Sequence, residues 1–180
     1  MNRQMFDLRG KVAIVTGGNG GIGLGLARGL ADAGANIAIV GRNEAKSRAA
    51  AEDLASRGVQ AISIVADVTD KAAVARMIER ATKDLGRIDV LINNAGINVR
   101  KPPHVLEIEE WESVIDTNLT SAFLCSKAVY PTMKAAGDAL DQLGVAWRAR
   151  VISAHRAGVP SPYRTGGFAG FPSACTLRLP

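Results

Sequence analysis

A glycine-rich turn, set between a short apolar run and a helical repeat, constrains this chain more than any other feature. Val12, Ala13, Ile14 and Val15 form a continuous apolar stretch, the pattern of a strand buried on both faces. Thr16, Gly17, Gly18, Asn19, Gly20, Gly21, Ile22 and Gly23 follow at once. Over residues 21–33, Ile22, Leu24, Leu26, Ala27, Leu30 and Ala31 recur at helical spacing, and Gly34 stops the helix. In such a turn Gly17 lets the chain bend sharply. Gly21 lets the backbone approach a pyrophosphate with no Cβ in the way, and Gly23 lets the helix pack on the strand. The helix N-terminus then offers free N–H groups and a partial positive charge to the phosphate. The plainer alternative is a glycine-rich turn without a ligand.

The rhythm continues. Ile37, Ala38, Ile39 and Val40 read as a second buried strand, and residues 44–56 as a polar-faced helix closed by Gly58. Residues 61–65 give a third strand, 67–85 a third helix, and Val90, Leu91 and Ile92 a fourth strand. One or two further helices lie within residues 109–136. Strand alternating with helix implies right-handed crossovers and an α/β fold on a parallel sheet. The 180 residues suit one domain, and 47% hydrophobic with 22% charged residues excludes disorder as the default. The net charge of +5 is spread out, with Arg100 and Lys101 as the longest basic pair, so no nucleic-acid footprint is read. Two cysteines, Cys125 and Cys175, do not make a disulfide framework, and no metal-ligand cluster is read. No signal peptide is legible in residues 1–11 and no apolar run reaches membrane length. The expectation is a cytoplasmic chain.

Three further segments bear on what the turn binds. The second strand ends in Gly41, Arg42 and Asn43. In dinucleotide sites an acidic residue near this point holds the ribose 2′-hydroxyl, whereas an arginine accommodates a 2′-phosphate. Gly41 supplies no carboxylate and Arg42 supplies a cation, which favours NADP(H) over NAD(H). Against this, Arg42 solvated at a strand end and Glu44 reaching a ribose stay open. Asp67 and Val68 end the third strand, and Asp67 points to an adenine pocket or caps the next helix, with Asp70 the better pure cap. Asn93, Asn94, Ala95 and Gly96 suit a strand end that hydrogen-bonds its neighbour and lies against a flat ring, or form a plain turn.

Together with Asp116, Thr117, Asn118 and Leu119, these motifs resemble the short-chain dehydrogenase/reductase family in order and separation, over residues 8 to about 137. The stretch 96–102 is similar to members acting on sugars, sugar acids and polyols, gluconate or glucose dehydrogenases among them. The resemblance implies a Rossmann-type doubly wound parallel sheet. It also implies NAD(P)-dependent hydride transfer between a nicotinamide and a small-molecule alcohol or carbonyl, and a homo-oligomer. It implies Gly17, Asn19, Gly21, Ile22 and Gly23 on the pyrophosphate side, Arg42 at the 2′ position and Asp67 and Val68 at adenine. Asn94, Ala95 and Gly96 fall along the nicotinamide ribose side. Asn118 matches a helix asparagine that helps hold a water in the proton relay, the alternative being an ordinary polar residue.

The resemblance breaks in the last quarter. The family's chemistry needs a strand-end Ser, then a Tyr with a Lys four residues on. A phenol of pKa about 10 is a poor base until an ammonium lowers it. Ser153 is the candidate strand-end serine, but Tyr163 is followed by Gly167 at the lysine position, with Pro160 and Pro162 close by. Tyr130 and Lys134 have the spacing, yet they precede any such serine and enclose Pro131, so packing and solvation are their expected roles. Beyond Gly137 there are five arginines, no lysine and four of the seven prolines. Residues 145–152 offer one strand. The expectation is a nucleotide-binding domain over 1–137 and an atypical tail over 138–180, frameshifted or truncated, which leaves the fold incomplete at its C-terminus. A catalytically inactive nucleotide-binding module or remnant is the alternative to an active oxidoreductase.

Overall fold

The computed structural model describes residues 7–135 and the strand 152–154. Five strands make one sheet: β1 (Val12–Thr16), β2 (Asn36–Gly41), β3 (Ala61–Val65), β4 (Val90–Ile92) and β5 (Ile152–Ala154), in the order β3-β2-β1-β4-β5. The first four are parallel, as the alternation with helices predicts. β5 departs from that rule. It pairs antiparallel to β4, with Leu91 opposite Ser153 and Ile92 opposite Ile152. Ser153 is therefore the middle residue of its strand and not a strand end, and the strand runs away from the carboxyl edge of the sheet. Of the strand expected over 145–152, only Ile152 is among the described residues. The expectations for residues 138–151 and 155–180, Tyr163 and Gly167 among them, lie outside the described residues.

Alternation along the strands sorts the core into two layers. Ile14, Ala38, Val40 and Leu91 face α3 (Lys71–Leu85) and α5 (Ser121–Ala135), meeting Val74, Met77, Cys125, Val129 and Met133. Ala13, Val15, Ile37, Ile39 and Ile92 face α1 (Gly21–Asp32) and α2 (Glu44–Ala55), meeting Ala27, Ala31, Ala50 and Leu54. Each fully buried Ile, Leu or Val contributes about 1.5–3 kcal/mol, so the central strands anchor the molecule. This is the doubly wound arrangement.

Local chemistry sets the helix ends. α2 starts after Asn43, whose Oδ1 accepts the Lys46 N–H at 2.9 Å. α3 starts at Lys71, later than the expected residue 67, because Asp70 caps it by accepting the Ala72 N–H at 2.8 Å. After β4 a single 3₁₀ turn (Pro103–Val105) leads to α4 (Ile108–Ile115). The helical stretch expected over 109–136 is interrupted by a π-helical turn, Asp116–Thr120, before α5.

At the amino edge of the sheet, Asp89 is fully buried. Its carboxylate accepts from the Val12 N–H at 2.9 Å, Lys11 Nζ at 3.0 Å and Arg87 Nε at 2.9 Å. Burial pushes this carboxyl up, but the bonds from Arg87, Val12 and Lys11 outweigh it and hold the group below the ordinary carboxylate range.

Candidate functional site

The opposite, carboxyl edge carries the turns that follow β1, β2, β3 and β4. After β1, Gly17 takes φ +62° and donates its N–H to Val40 O at 2.8 Å. A Cβ there would stand 2.9 Å from Ala95 Cα. Gly23 sits on the first turn of α1, where a Cβ would run into Gly17 O and Asn94 Nδ2. It is the turn itself, more than the strand, that needs this glycine. Gly21 differs from both. Its φ is +52°, and a Cβ would meet nothing within 4 Å. No side chain caps α1 and no acidic residue lies in its first turn, so its N-terminal dipole is left for a ligand. Ile22 stands 61% exposed beside it.

The ends of β1 and β4 are stitched together, as the Asn93–Gly96 segment suggested, through a Thr16 hydroxyl whose role sequence reasoning passed over. The Thr16 hydroxyl, buried, donates to Ile92 O at 3.2 Å and accepts from the Asn94 and Ala95 N–H groups at 3.0 and 3.1 Å. Asn94 Nδ2 donates to the carbonyls of Thr16 and Gly17, both at 3.0 Å. Its amide thus braces the glycine turn. Asn93 Nδ2 donates to Ser126 Oγ at 3.2 Å and ties the same strand end to α5. Asn118, in the π-helical turn, clamps Ile97 from both sides. Its Oδ1 accepts the Ile97 N–H at 2.8 Å and its Nδ2 donates to Ile97 O at 2.9 Å. A Cβ on Gly96 would come 3.0 Å from that same Oδ1.

On the other side, Arg42 and Asp67 face each other beyond β2 and β3 at 3.8 Å. Asp67 Oδ1 accepts from the amide and hydroxyl of Thr69, at 2.9 and 2.7 Å. Those two bonds, with a smaller contribution from Arg42, hold its carboxyl below the ordinary range. Asn19 Nδ2 donates to Ser47 Oγ at 3.0 Å.

These turns enclose a cleft of about 630 Å³. Gly17, Asn19, Gly21, Ile22, Gly23, Arg42, Asp67, Val68, Asn94, Ala95 and Gly96 all line it. The structure so brings together in one place the eleven residues that sequence analysis associated with a dinucleotide. It adds Lys46 and Ile97, which sequence analysis did not single out, and Thr117, which it named only as part of the motif over residues 116–119. Lys46 is legible afterwards as the cation one helical turn beyond Arg42. Asn118 backs the cleft through Ile97 without lining it, and neither Tyr130 nor Lys134 lines it. Burial raises the Cys125 thiol to about 12, which makes it no nucleophile. Among the described residues no cluster of His, Cys, Asp or Glu is placed to hold a metal, and no helix is long and apolar enough to cross a membrane.

Comparison with known proteins gives a consistent family signal. The model for short chain dehydrogenases matches residues 11–140. Gluconate 5-dehydrogenase of Gluconobacter oxydans is 40% identical over 125 residues, covering 69% of this chain and 49% of the relative. The 3-oxoacyl-acyl-carrier-protein reductase of Chlamydia muridarum is 41% identical over 132 residues, covering 72% of this chain and 53% of the relative. The crystal structure of an NAD⁺-bound xylitol dehydrogenase superposes with a TM-score of 0.69 at 36% identity, covering 72% of this chain and 50% of that one. The chain spans about half the length of the curated relatives it matches.

Proposed function

The chain belongs to the short-chain dehydrogenase family, and from that membership we propose that its cleft holds a nicotinamide dinucleotide, NADP(H) in preference to NAD(H), for oxidoreduction of a sugar-like alcohol or carbonyl. The observation that carries the reading is Gly21: a left-handed glycine with open space on its Cβ side, at the uncapped start of α1. That is a cradle which a side chain would fill and a pyrophosphate fits. When bound, the dinucleotide supplies a hydride donor or acceptor at its nicotinamide. The chain's own residues bind and orient it. The α1 N-terminus meets the phosphates. Arg42, exposed beyond β2, pairs with a 2′-phosphate in place of its long contact to Asp67. Ala95 and Gly96, small and braced by Thr16 and Asn118, leave room for a ring and its ribose.

Asn118 acts in this reading by fixing Ile97 at the cleft wall. No step is assigned to Ser153, since β5 runs away from the cleft. None is assigned to Tyr130 and Lys134, which lie outside it. The sugar-acid class rests on residues 96–102 and on the gluconate relative. Association with further copies of the chain rests on the exposed Trp111, Leu119 and Phe123 of the α4–α5 segment.

Calorimetric titration of NADP⁺ and NAD⁺ into the purified chain tests the proposal. NADP⁺ is expected to bind more tightly, and Gly21→Trp to abolish both signals while a cooperative melt persists. Removing the Arg42 charge as Arg42→Ala costs about 1.5–3 kcal/mol toward NADP⁺, roughly tenfold to a hundredfold in Kd, with little change for NAD⁺. Binding that survives Gly21→Trp sinks the assignment.

A further inference from the structure

Asn19 belongs to the glycine turn by sequence, yet its side chain reaches toward the end of β2. Its Nδ2 donates to Ser47 Oγ on α2 at 3.0 Å, and Ser47 has no exposed surface, so the acceptor is fixed by packing. The amide consequently lies over Gly41. A Cβ at position 41 would run into Asn19 Nδ2 and stand 3.0 Å from its Cγ and 3.1 Å from Ser47 Oγ. Asn19 and Gly41 both line the cleft beside Arg42 and Lys46. The space beyond the last residue of β2 is thus filled from the glycine turn.

Resting on the dinucleotide reading above, we infer that Asn19 is a positioning residue for cofactor choice: anchored on Ser47, it occupies the space a side chain at position 41 needs. A carboxylate arriving at 41 would favour a free 2′-hydroxyl and oppose a 2′-phosphate. To arrive there it must displace the Asn19 amide and break its bond to a buried hydroxyl, which leaves that hydroxyl short of a partner. With Asn19 in place, the cations Arg42 and Lys46 meet whatever the ribose carries. Positions 19 and 41 are coupled, and a change at 41 alone does not convert the cleft.

A double-mutant cycle decides it. Wild type, Asn19→Ala, Gly41→Asp and the double variant are each titrated with NADP⁺ and with NAD⁺ at fixed ionic strength, and each is melted. The expected result is that Gly41→Asp weakens both cofactors and leaves the ratio of the two Kd values within about threefold, whereas the double variant moves the ratio toward NAD⁺ by about tenfold or more. A merely structural role for Asn19 would lower the melting temperature without that ratio shift. Should Gly41→Asp fail to melt cooperatively, Gly41→Ala carries the Cβ alone. It is expected to weaken NADP⁺ binding with Asn19 present and not with Asn19→Ala. A ratio that shifts as far in the single Gly41→Asp variant as in the double overturns this inference alone. A wild-type chain that melts cooperatively and binds neither dinucleotide overturns the reading of the cleft, and this inference with it.

Discussion

Gly21 and Gly23 stand in one motif and answer to different constraints. At Gly21 the protein offers no obstacle to a Cβ, so the requirement comes from a backbone conformation that L residues adopt at a cost of roughly 1–2 kcal/mol, and from what the cleft receives. At Gly23 the obstacle is the carbonyl oxygen of Gly17, which cannot move without opening the turn. Gly23→Ala is therefore expected to cost about 1–3 kcal/mol through overpacking. A chemical melt of the variant with no cofactor present measures it, and an unchanged midpoint would show that the turn yields freely. Residue types were legible in the sequence, because glycines, an arginine and paired asparagines at strand ends carry chemistry that their neighbours do not. Their partners were not legible. Thr16 meets Asn94, Asn118 meets Ile97 and Asn19 meets Ser47 only after separate elements have docked, and no local pattern encodes those distances.

Elements were easier to read than their joins. Apolar runs announced β1, β2 and β4 because both faces of each are covered, and helical spacing announced α1. The start of α3 was placed too early, at Asp67, although Asp70 read as the better pure cap; the Thr69 bonds of Asp67 hold that carboxylate in the turn before the helix, and Asp70 caps α3. The direction of β5 had no signal at all, since a strand's residues do not state which way it pairs. β1 and β4 are also joined at the amino edge, through Asp89. The folded-state pKa of that carboxyl lies below its unfolded value of about 3.9. The stability it contributes is thus fully present above about pH 4 and is lost as pH falls toward the depressed folded value. Asp89→Asn removes the carboxylate between Lys11 and Arg87 and is expected to cost roughly 3 kcal/mol at neutral pH. Denaturant midpoints of both chains between pH 7 and pH 3 check this. Wild type should lose its advantage over the variant on acidification, and a constant gap would remove Asp89 from the account.

For the molecule as a whole, apolar surface is distributed unevenly. Of the α5 residues that the sequence marks as apolar, Val129 and Met133 are buried against the sheet, while Phe123 is half exposed, as are Trp111 and Leu119 in the segment before it. Patches of this kind are covered by other protein or drive association. A chimaera that continues the chain with the C-terminal half of the gluconate relative is expected to melt higher and to elute more uniformly by size than the 180-residue chain. Equal melts and equal elution profiles would show that the exposed face needs no cover. The cleft adds a consequence of a different kind. Its walls come from the turns after four strands, and the strand between two of those turns is useless to a ligand unless the others are in place. A ligand that touches all four turns therefore binds the assembled sheet in preference to any single strand–helix unit. Occupancy then acts as a mass-action clasp on the whole domain, worth about 2.7 kcal/mol at a ligand concentration a hundred times Kd. On the dinucleotide reading proposed above, the level of that ligand in a cell sets how much of this chain stays folded.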